Sequence, residues 1–438
     1  MLFVLALLVL GFSALTVTDS QNSGATAGEE IAKRVQNSGS AQRVVIVTPE
    51  NVTGVQLAAA LSKSLENSGH KVMETVHGGP PTIRKKFQDW NQKQDHIDVI
   101  ACPNSVASLP FVKNVNEQFP ALGGSCRVIA PASYKWPAFL KQRNVLNIAQ
   151  QISIIAIIAI GMTLVIITAG IDLSVGSLIG LAAVTSTVLI RDAAGGREAG
   201  VMGMVLCGIA GIAVCAGVGL LSGVCVAAFR LPAFIVTLAM MLMARGLALT
   251  ITDSQSINEV PAAFGWLGSG RTLAIPNSVL LMFLLYGAAH FVMSRTRLGR
   301  HIYAIGGNEE AARLAGVPVQ RVLLIVYTLC GALAGLGGVI MASKHKGVEP
   351  NFGFMDEMTV IAAVVVGGTS LMGGQGRVLG TLIGAFIIAV IRNGMNQVGV
   401  PPNPQMIVMG SVILSAVLID QFRKGKVAWR DIAGLFQR

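Results

Sequence analysis

Asp172 and Ser174 stand between two apolar runs, 152–169 and 175–190, flanked by Gly170 and Gly176. Each run is about long enough to cross a bilayer core of ~30 Å, and no polar loop separates them. The pair must lie side by side or form one broken helix. Broken backbone at membrane depth survives only against protein or a water-filled cavity, and a carboxylate there must face inward or reach an interface. A second group lies in DEMTVIAAVVVGGTSLMGGQGRVLG, residues 356–380, where glycines interrupt an apolar segment. A bent helix lining a cavity there would offer the hydroxyls of Thr369 and Ser370 to a polar solute. Asn393 and Asn396 could do likewise, or bond helix to helix. The chemistry available to all six is hydrogen bonding, with no covalent step.

Motifs for catalysis are missing. The chain contains no G-x-x-x-x-G-K-[ST] for nucleotide phosphates, no H-E-x-x-H and no G-x-S-x-G. Ion-coupled carriers use intramembrane acids as relays, but here Asp172 sits in the break and Asp356, Glu357 and Asp420 lie at the ends of apolar runs. Arg245 can snorkel to an outer interface, and lone His290 reads as a packing histidine. No cysteine spacing resembles a metal site. A passage for solute without its own energy source points to a partner that supplies the energy.

The segment TRLGRHIYAIGGNEEAARLAGVPVQR, 296–321, is the candidate for that contact. Asn308 can cap a helix that starts at Glu309, and Glu309 and Glu310 complement its positive end. Ala311 and Ala312 then give a small-residue face, Arg313 adds a charge, and Gly316 and Pro318 end the turn. An ordinary basic loop is the plainer reading.

These residues need elements to hold them. The mean hydropathy is +0.64, and only 13% of residues are charged, against about 25% in soluble domains. Most of the chain therefore lies in a membrane. Apolar spans are predicted near 152–169, 175–190, 201–228, 231–252, 278–293, 322–342, 358–371, 378–394 and 405–419, which with the first helix makes about ten. Gly219/Gly223, Gly331/Gly335 and Gly380/Gly384 have the spacing of close helix crossings. The net charge of +11 does not signal nucleic acid, because basic residues sit at span ends with no basic stripe interleaved with aromatics. Segment 294–321 carries Arg295, Arg297, Arg300, Arg313 and Arg321, and the tail carries Arg423, Lys424, Lys426, Arg430 and Arg438. Positive-inside logic places both in the cytoplasm, and counting crossings back puts the region before 141 outside.

That region differs in kind. Residues 1–17 read as a signal peptide or a first transmembrane helix, and the missing positive n-region and cleavage site favour an uncleaved span or signal anchor. From 18 to 141 charge is plentiful, and strands at 44–47, 72–76, 97–101 and 128–130 alternate with helices at 55–65, 82–92 and 106–117. Alternation of this kind predicts a small parallel α/β layer fold. No glycine-rich phosphate loop follows its first strand. Cys102 and Cys126 could pair if the region is exported, although each also ends an apolar strand-like run.

Four stretches, GMTLVIITAGIDLSVGS, TLAMMLMARGLALTIT, AIGGNEEAARLAGVPVQRV and VIAAVVVGGTSLMGGQGRVLGTLIGA, occur in the order found in bacterial ABC importer permeases. The sequence most resembles the ribose/xylose/monosaccharide type, related to the branched-chain amino acid permeases, over roughly 144–420. The resemblance implies an all-α polytopic membrane protein of about ten transmembrane helices with a broken or re-entrant element. It implies an inner-membrane permease subunit for a small polar solute such as a monosaccharide, working as a homodimer with a cytoplasmic ABC ATPase and a periplasmic sugar-binding protein. The chain then holds no cofactor, since ATP and magnesium bind the ATPase. The helix from Asn308 to Gly316 becomes the coupling helix that docks on it. The family runs almost directly from its first span into the stretch matching Asn144, so a small extracytoplasmic α/β domain inserted after the first helix is a departure. Its DVIACPN and VNEQFP resemble one lobe of a sugar-binding protein, which suggests a docking or accessory role. The expected layout is 1–17 first helix, 18–141 insert, 142–420 permease domain and 421–438 basic cytoplasmic tail. An ion-coupled carrier or facilitator, and a membrane-anchored sensor, remain the alternatives.

Overall fold

The computed structural model describes residues 1–39, 42–122, 124–349 and 351–423; the basic tail from Lys424 lies outside the described residues. The chain divides into two units, Val17–Ala138 and a helical unit made of Met1–Thr16 with the residues from Phe139 on.

The chain opens with α1 (Leu2–Leu15). At 14 residues it spans only about 21 Å, less than a bilayer core. Within the helical unit Phe12 stacks on Phe139 and lies on Gly394, where a side chain would leave it no room.

The second unit begins with β1 (Val17–Ser20) and α2 (Gly24–Gln36), neither of which the strand–helix alternation foretold. Then follow β2 (Arg43–Thr48), α3 (Val52–Glu66), β3 (Lys71–His77), α4 (Pro80–Lys93) and β4 (Val99–Ala101). The expected helix at 106–117 is three single turns, α5 (Asn104–Ala107), α6 (Pro110–Lys113) and α7 (Val115–Gln118). Pro110 interrupts it, since proline disfavours helix in the residue before it. Strands β5 (Arg127–Ile129) and β6 (Tyr134–Pro137) close the unit. The four-stranded sheet is parallel in the order β3-β2-β4-β5, and β6 pairs antiparallel with β1.

Alternation along β2 decides what covers each face, because successive side chains point opposite ways. Val44 and Ile46 pack with Ile31, Val35, Leu57 and Leu61 from α2 and α3. Val45 and Val47 pack with Phe87 and Trp90 of α4 and with Phe111 and Val112. A parallel sheet buried on both faces needs such near-continuous apolar strands. Cys102 and Cys126 are not joined; both are free and buried. Burial pushes both thiols up to about 12.

In the helical unit, α8 (Gln142–Ile167) starts ten residues before the predicted span, because Gln142, Asn144 and Gln150 are polar yet helical. Then come α9 (Val175–Asp192), α10 (Val201–Ala227), α11 (Ala233–Ile251), the small hairpin β7 (Arg271–Thr272) and β8 (Ile275–Pro276), and α12 (Asn277–Arg295). Two short helices, α13 (Arg297–Gly307) and α14 (Glu309–Leu314), precede α15 (Val319–His345). The last described elements are α16 (Asp356–Val366), α17 (Val378–Gln397) and α18 (Pro402–Arg423).

Among the described residues, eight helices are long and apolar enough to cross a membrane: α8 to α12, α15, α17 and α18. The expected count of about ten included α1 and the run 358–371. The latter stops at Val366, an 11-residue helix of about 17 Å, because Gly367 and Gly368 end it, Gly368 with φ +87°. Helix α8 forms the centre, with 89% of its apolar window buried, whereas α18 has 6% buried and faces outward.

The glycine pairs sit at close helix crossings. On Gly219 a side chain would collide with Tyr327 O of α15, and on Gly331 with Cys215 O of α10. Gly380 and Gly384 leave room for Gly367 and Ala363 beside α16 in the same way. Small residues let membrane helices approach to backbone contact. His290, expected in packing, lies exposed on α12.

Candidate functional site

Asn308 ends α13 and starts α14. Its backbone is extended, and its Oδ1 accepts from Ala311 N at 3.0 Å, satisfying one of the orphan donors of the new helix. Arg313 Nη2 bonds Glu309 Oε1 at 2.8 Å, and Arg313 Nη1 lies 3.4 Å from Glu310. The helix stops where Gly316 takes φ +79°. Gly316 N then bonds Arg313 O and Val317 N bonds Ala312 O, which is the paired closure of a Schellman motif. Ala312 is buried, while Glu309, Glu310, Ala311 and Arg313 are exposed. Leu314 is 88% exposed. The result is a capped, charged knob with a bare leucine at its tip. Beside it runs a groove of about 980 Å³, bounded by Val226, Arg230, Leu231, Glu310, Arg313 and Gln320.

Helix α13 ties this knob to the interior. Gly306 presses on the end of α8; a Cβ there would collide with Ile167 O and stand 2.5 Å from Gly374 N. Gly374 N itself donates to Ile167 O at 2.8 Å, and Tyr303 Oη donates to Gly376 O at 2.8 Å. The glycine-rich turn after α16 and the break after α8 are thus both in contact with the helix that carries the knob.

The break itself is residues 168–174, with Ala169 at φ +62°. Asp172 is fully buried. Its Oδ1 accepts from Ser174 N at 2.9 Å and from Ser174 Oγ at 2.6 Å, an Asx turn that starts α9. Its Oδ2 has no partner, and neither has the buried Tyr327 hydroxyl, which lies against Gly170. Of the two placements open to this acid, facing inward or reaching an interface, the structure shows the first.

The other predicted polar residues are dispersed. Thr369 is buried with Oγ1 unpartnered, and Ser370 Oγ accepts from Met372 N at 3.2 Å. Asn393 and Asn144 exchange amide bonds, both 3.1 Å, between α17 and α8. Asn396 Oδ1 accepts from Gln405 Nε2 at 2.7 Å. The structure brings Asp172 and Ser174 together and Thr369 beside Ser370, but it spends both asparagines on helix contacts.

Sequence reasoning left Arg245 and Glu357 unused. Arg245, expected to reach an outer interface, donates Nη1 to Phe352 O at 3.0 Å. Glu357 lies 7% exposed against Gly176. Their separation of 112 positions offers no spacing signal.

The comparisons agree with this architecture. The model of the branched-chain amino acid transport system/permease component family matches residues 144–417. The ribose import permease of Escherichia coli is 46% identical over 297 residues, covering 67% of this chain and 90% of the relative. The L-arabinose ABC transporter permease of Azospirillum brasilense is 35% identical over 302 residues, 68% of this chain and 86% of the relative. The xylose transport system permease of Escherichia coli is 35% identical over 348 residues, 66% and 87%. No solved structure matches the chain. Over residues 144–417, the chain belongs to the branched-chain amino acid transport system/permease component family.

Proposed function

We propose that the chain is the membrane permease subunit of an ATP-binding-cassette importer for a monosaccharide of the ribose, arabinose or xylose kind. The observation that carries this is the seat of Gly306 between Ile167 and Gly374. It gives an exposed knob, Asn308 to Gly316, a rigid mechanical path to both interrupted segments. ATP and magnesium act in a cytoplasmic ATPase subunit that grips this coupling helix. When the ATPase closes, the push on α14 passes through α13 to the break at 168–174 and to the turn at 367–376. Thr369, Ser370 and the Asp172–Ser174 turn are polar groups within these moving segments.

The same reading makes the protein a homodimer fed by a periplasmic binding protein. It makes α1 and α16 partial crossings that complete a ten-helix set, and places Val17–Ala138 outside the cell. That unit lies before the residues the family model matches, so its role is accessory docking rather than conduction.

The test is reconstitution of the chain with its ATPase and binding protein in proteoliposomes, reading ribose, arabinose and xylose uptake against ATP hydrolysis. Uptake by the chain without ATPase, or uptake that follows a proton gradient and ignores ATP, would refute it. Unchanged uptake and receptor binding after deletion of 22–136 would refute the docking role alone.

A further inference from the structure

Glu357 is the second residue of α16 and almost wholly buried. Its Oε2 has no hydrogen-bond partner. That oxygen rests on Gly176 at the start of α9, so the acid sits where the two interrupted segments meet, N-terminus to N-terminus. The positive end of α9 favours the charge, yet a buried carboxylate with one bare oxygen remains costly.

A cation waits close by. Arg245 on α11 is within electrostatic range of both Glu357 and Asp356, and Arg392 on α17 is within range of Asp356. Arg245 makes no ion pair within 4.0 Å among the described residues. Its guanidinium is held instead by Phe352 O and lies 5.9 Å from the centre of the Phe354 ring. Both holding residues belong to the connection between α15 and α16. A permanent latch would show the two charges joined, whereas here the acid is bare and the base is parked on the neighbouring backbone.

We propose that Arg245 and Glu357 form an ion pair in the alternate state of the transport cycle, making both of them positioning residues that exchange α11 between Phe352 and α16. This rests on the transporter reading. Packed interiors switch between discrete arrangements rather than deforming continuously, and a charge pair open in one arrangement and closed in the other gives the second a definite stabilisation.

The experiment uses the complete transporter in proteoliposomes with ribose as probe. ATP-driven uptake by the wild type tests the transporter reading separately. Glu357→Gln and Arg245→Gln are each expected to lower uptake per ATP hydrolysed by about ten-fold or more, within the range of ordinary coupling energies, while ATP hydrolysis persists. The double variant should be no worse than either single one, because the two changes remove the same pair. Wild-type ratios, parallel losses of uptake and hydrolysis, or losses that multiply in the double variant would overturn the proposal. If Glu357→Gln fails to assemble, Arg245→Gln is read alone, and Arg245→Lys, which keeps the charge, is expected to retain most of the wild-type coupling. Failure of both to assemble would assign the pair a purely structural role and overturn the switch.

Discussion

Gly176 and Glu357 touch where no side chain could be added. The Oε2 atom of Glu357 lies over the Gly176 α-carbon, and Gly353 O closes the other side, 2.6 Å from where a Cβ would stand. The first turn of α9 and the first turn of α16 can meet only because position 176 has no side chain.

Gly176→Ala should therefore destabilise the protein. Helix propensity alone would favour alanine by about 1 kcal/mol, but overpacking a filled site costs about 1–3 kcal/mol, and both neighbours here are backbone or a buried carboxylate. Gly217→Ala on α10, with nothing within 4 Å of its Cβ position, is the matched control. Thermal unfolding in nanodiscs should show a lower midpoint for the first and an unchanged or higher one for the second. Equal midpoints would mean that the contact is not tight.

The knob at 308–316 should tolerate changes that abolish its use. Asn308→Ala removes the bond to Ala311 N and should cost about 1 kcal/mol, seen as faster amide exchange in 309–315 and little elsewhere. Reversing Glu309 and Arg313 should leave stability almost unchanged, because the pair is 51% and 43% exposed and such pairs contribute about 0–1 kcal/mol. Uptake per ATP should nonetheless fall, since the charges offered to the ATPase are inverted. Normal coupling by the reversed pair would remove this helix from the power path.

Much of this arrangement was legible in the sequence, and the reasons are local. Asn308, Glu309 and Gly316 announce their helix because capping and left-handed closure depend on adjacent residues. Strand β2 showed itself by a run of valine and isoleucine. By contrast, α2 was missed because its apolar residues, Ala27, Ile31 and Val35, are few among Glu29, Glu30, Lys33 and Arg34. Helix α16 was read too long because the apolar run continues past the glycines that stop it. The contacts of Glu357 with Gly176, and of Gly306 with Ile167, join positions more than a hundred residues apart. They follow from packing, which no spacing rule encodes.

Asn144 and Asn393 separate two readings of the same residues. Their amides face each other, and Asn144 Nδ2 also donates to Phe139 O at 2.8 Å. Asn393→Ala leaves a partly buried amide without its partner, a cost of about 1–3 kcal/mol, nearer ~0.6 kcal/mol if membrane averages apply. Replacing both with leucine should cost less than the two single changes together. The apparent affinity for transported sugar should not move, because these amides are engaged with protein. A shift in affinity without a shift in stability would place Asn393 on the solute path.

The last prediction concerns pH and the Val17–Ala138 unit alone. Glu74 of β3 accepts from Lys86 Nζ at 2.5 Å and from Trp90 Nε1 at 3.0 Å on α4. The Lys86 bond, foremost, holds its carboxyl below the usual 4.5, against the opposing effect of burial. A lowered folded value means that the unfolded chain takes up the proton first. The stabilisation is therefore fully present above about pH 5 and is lost as pH falls through 4.5 and below. Because the two side chains are 38% and 41% exposed, solvent screening limits the effect to at most about 1 kcal/mol. Wild type and Glu74→Gln, compared by limited proteolysis of the full chain between pH 3 and 7, should differ in unit stability at neutral pH and converge in acid. A gap that stays constant across that range would show that the carboxylate charge contributes nothing.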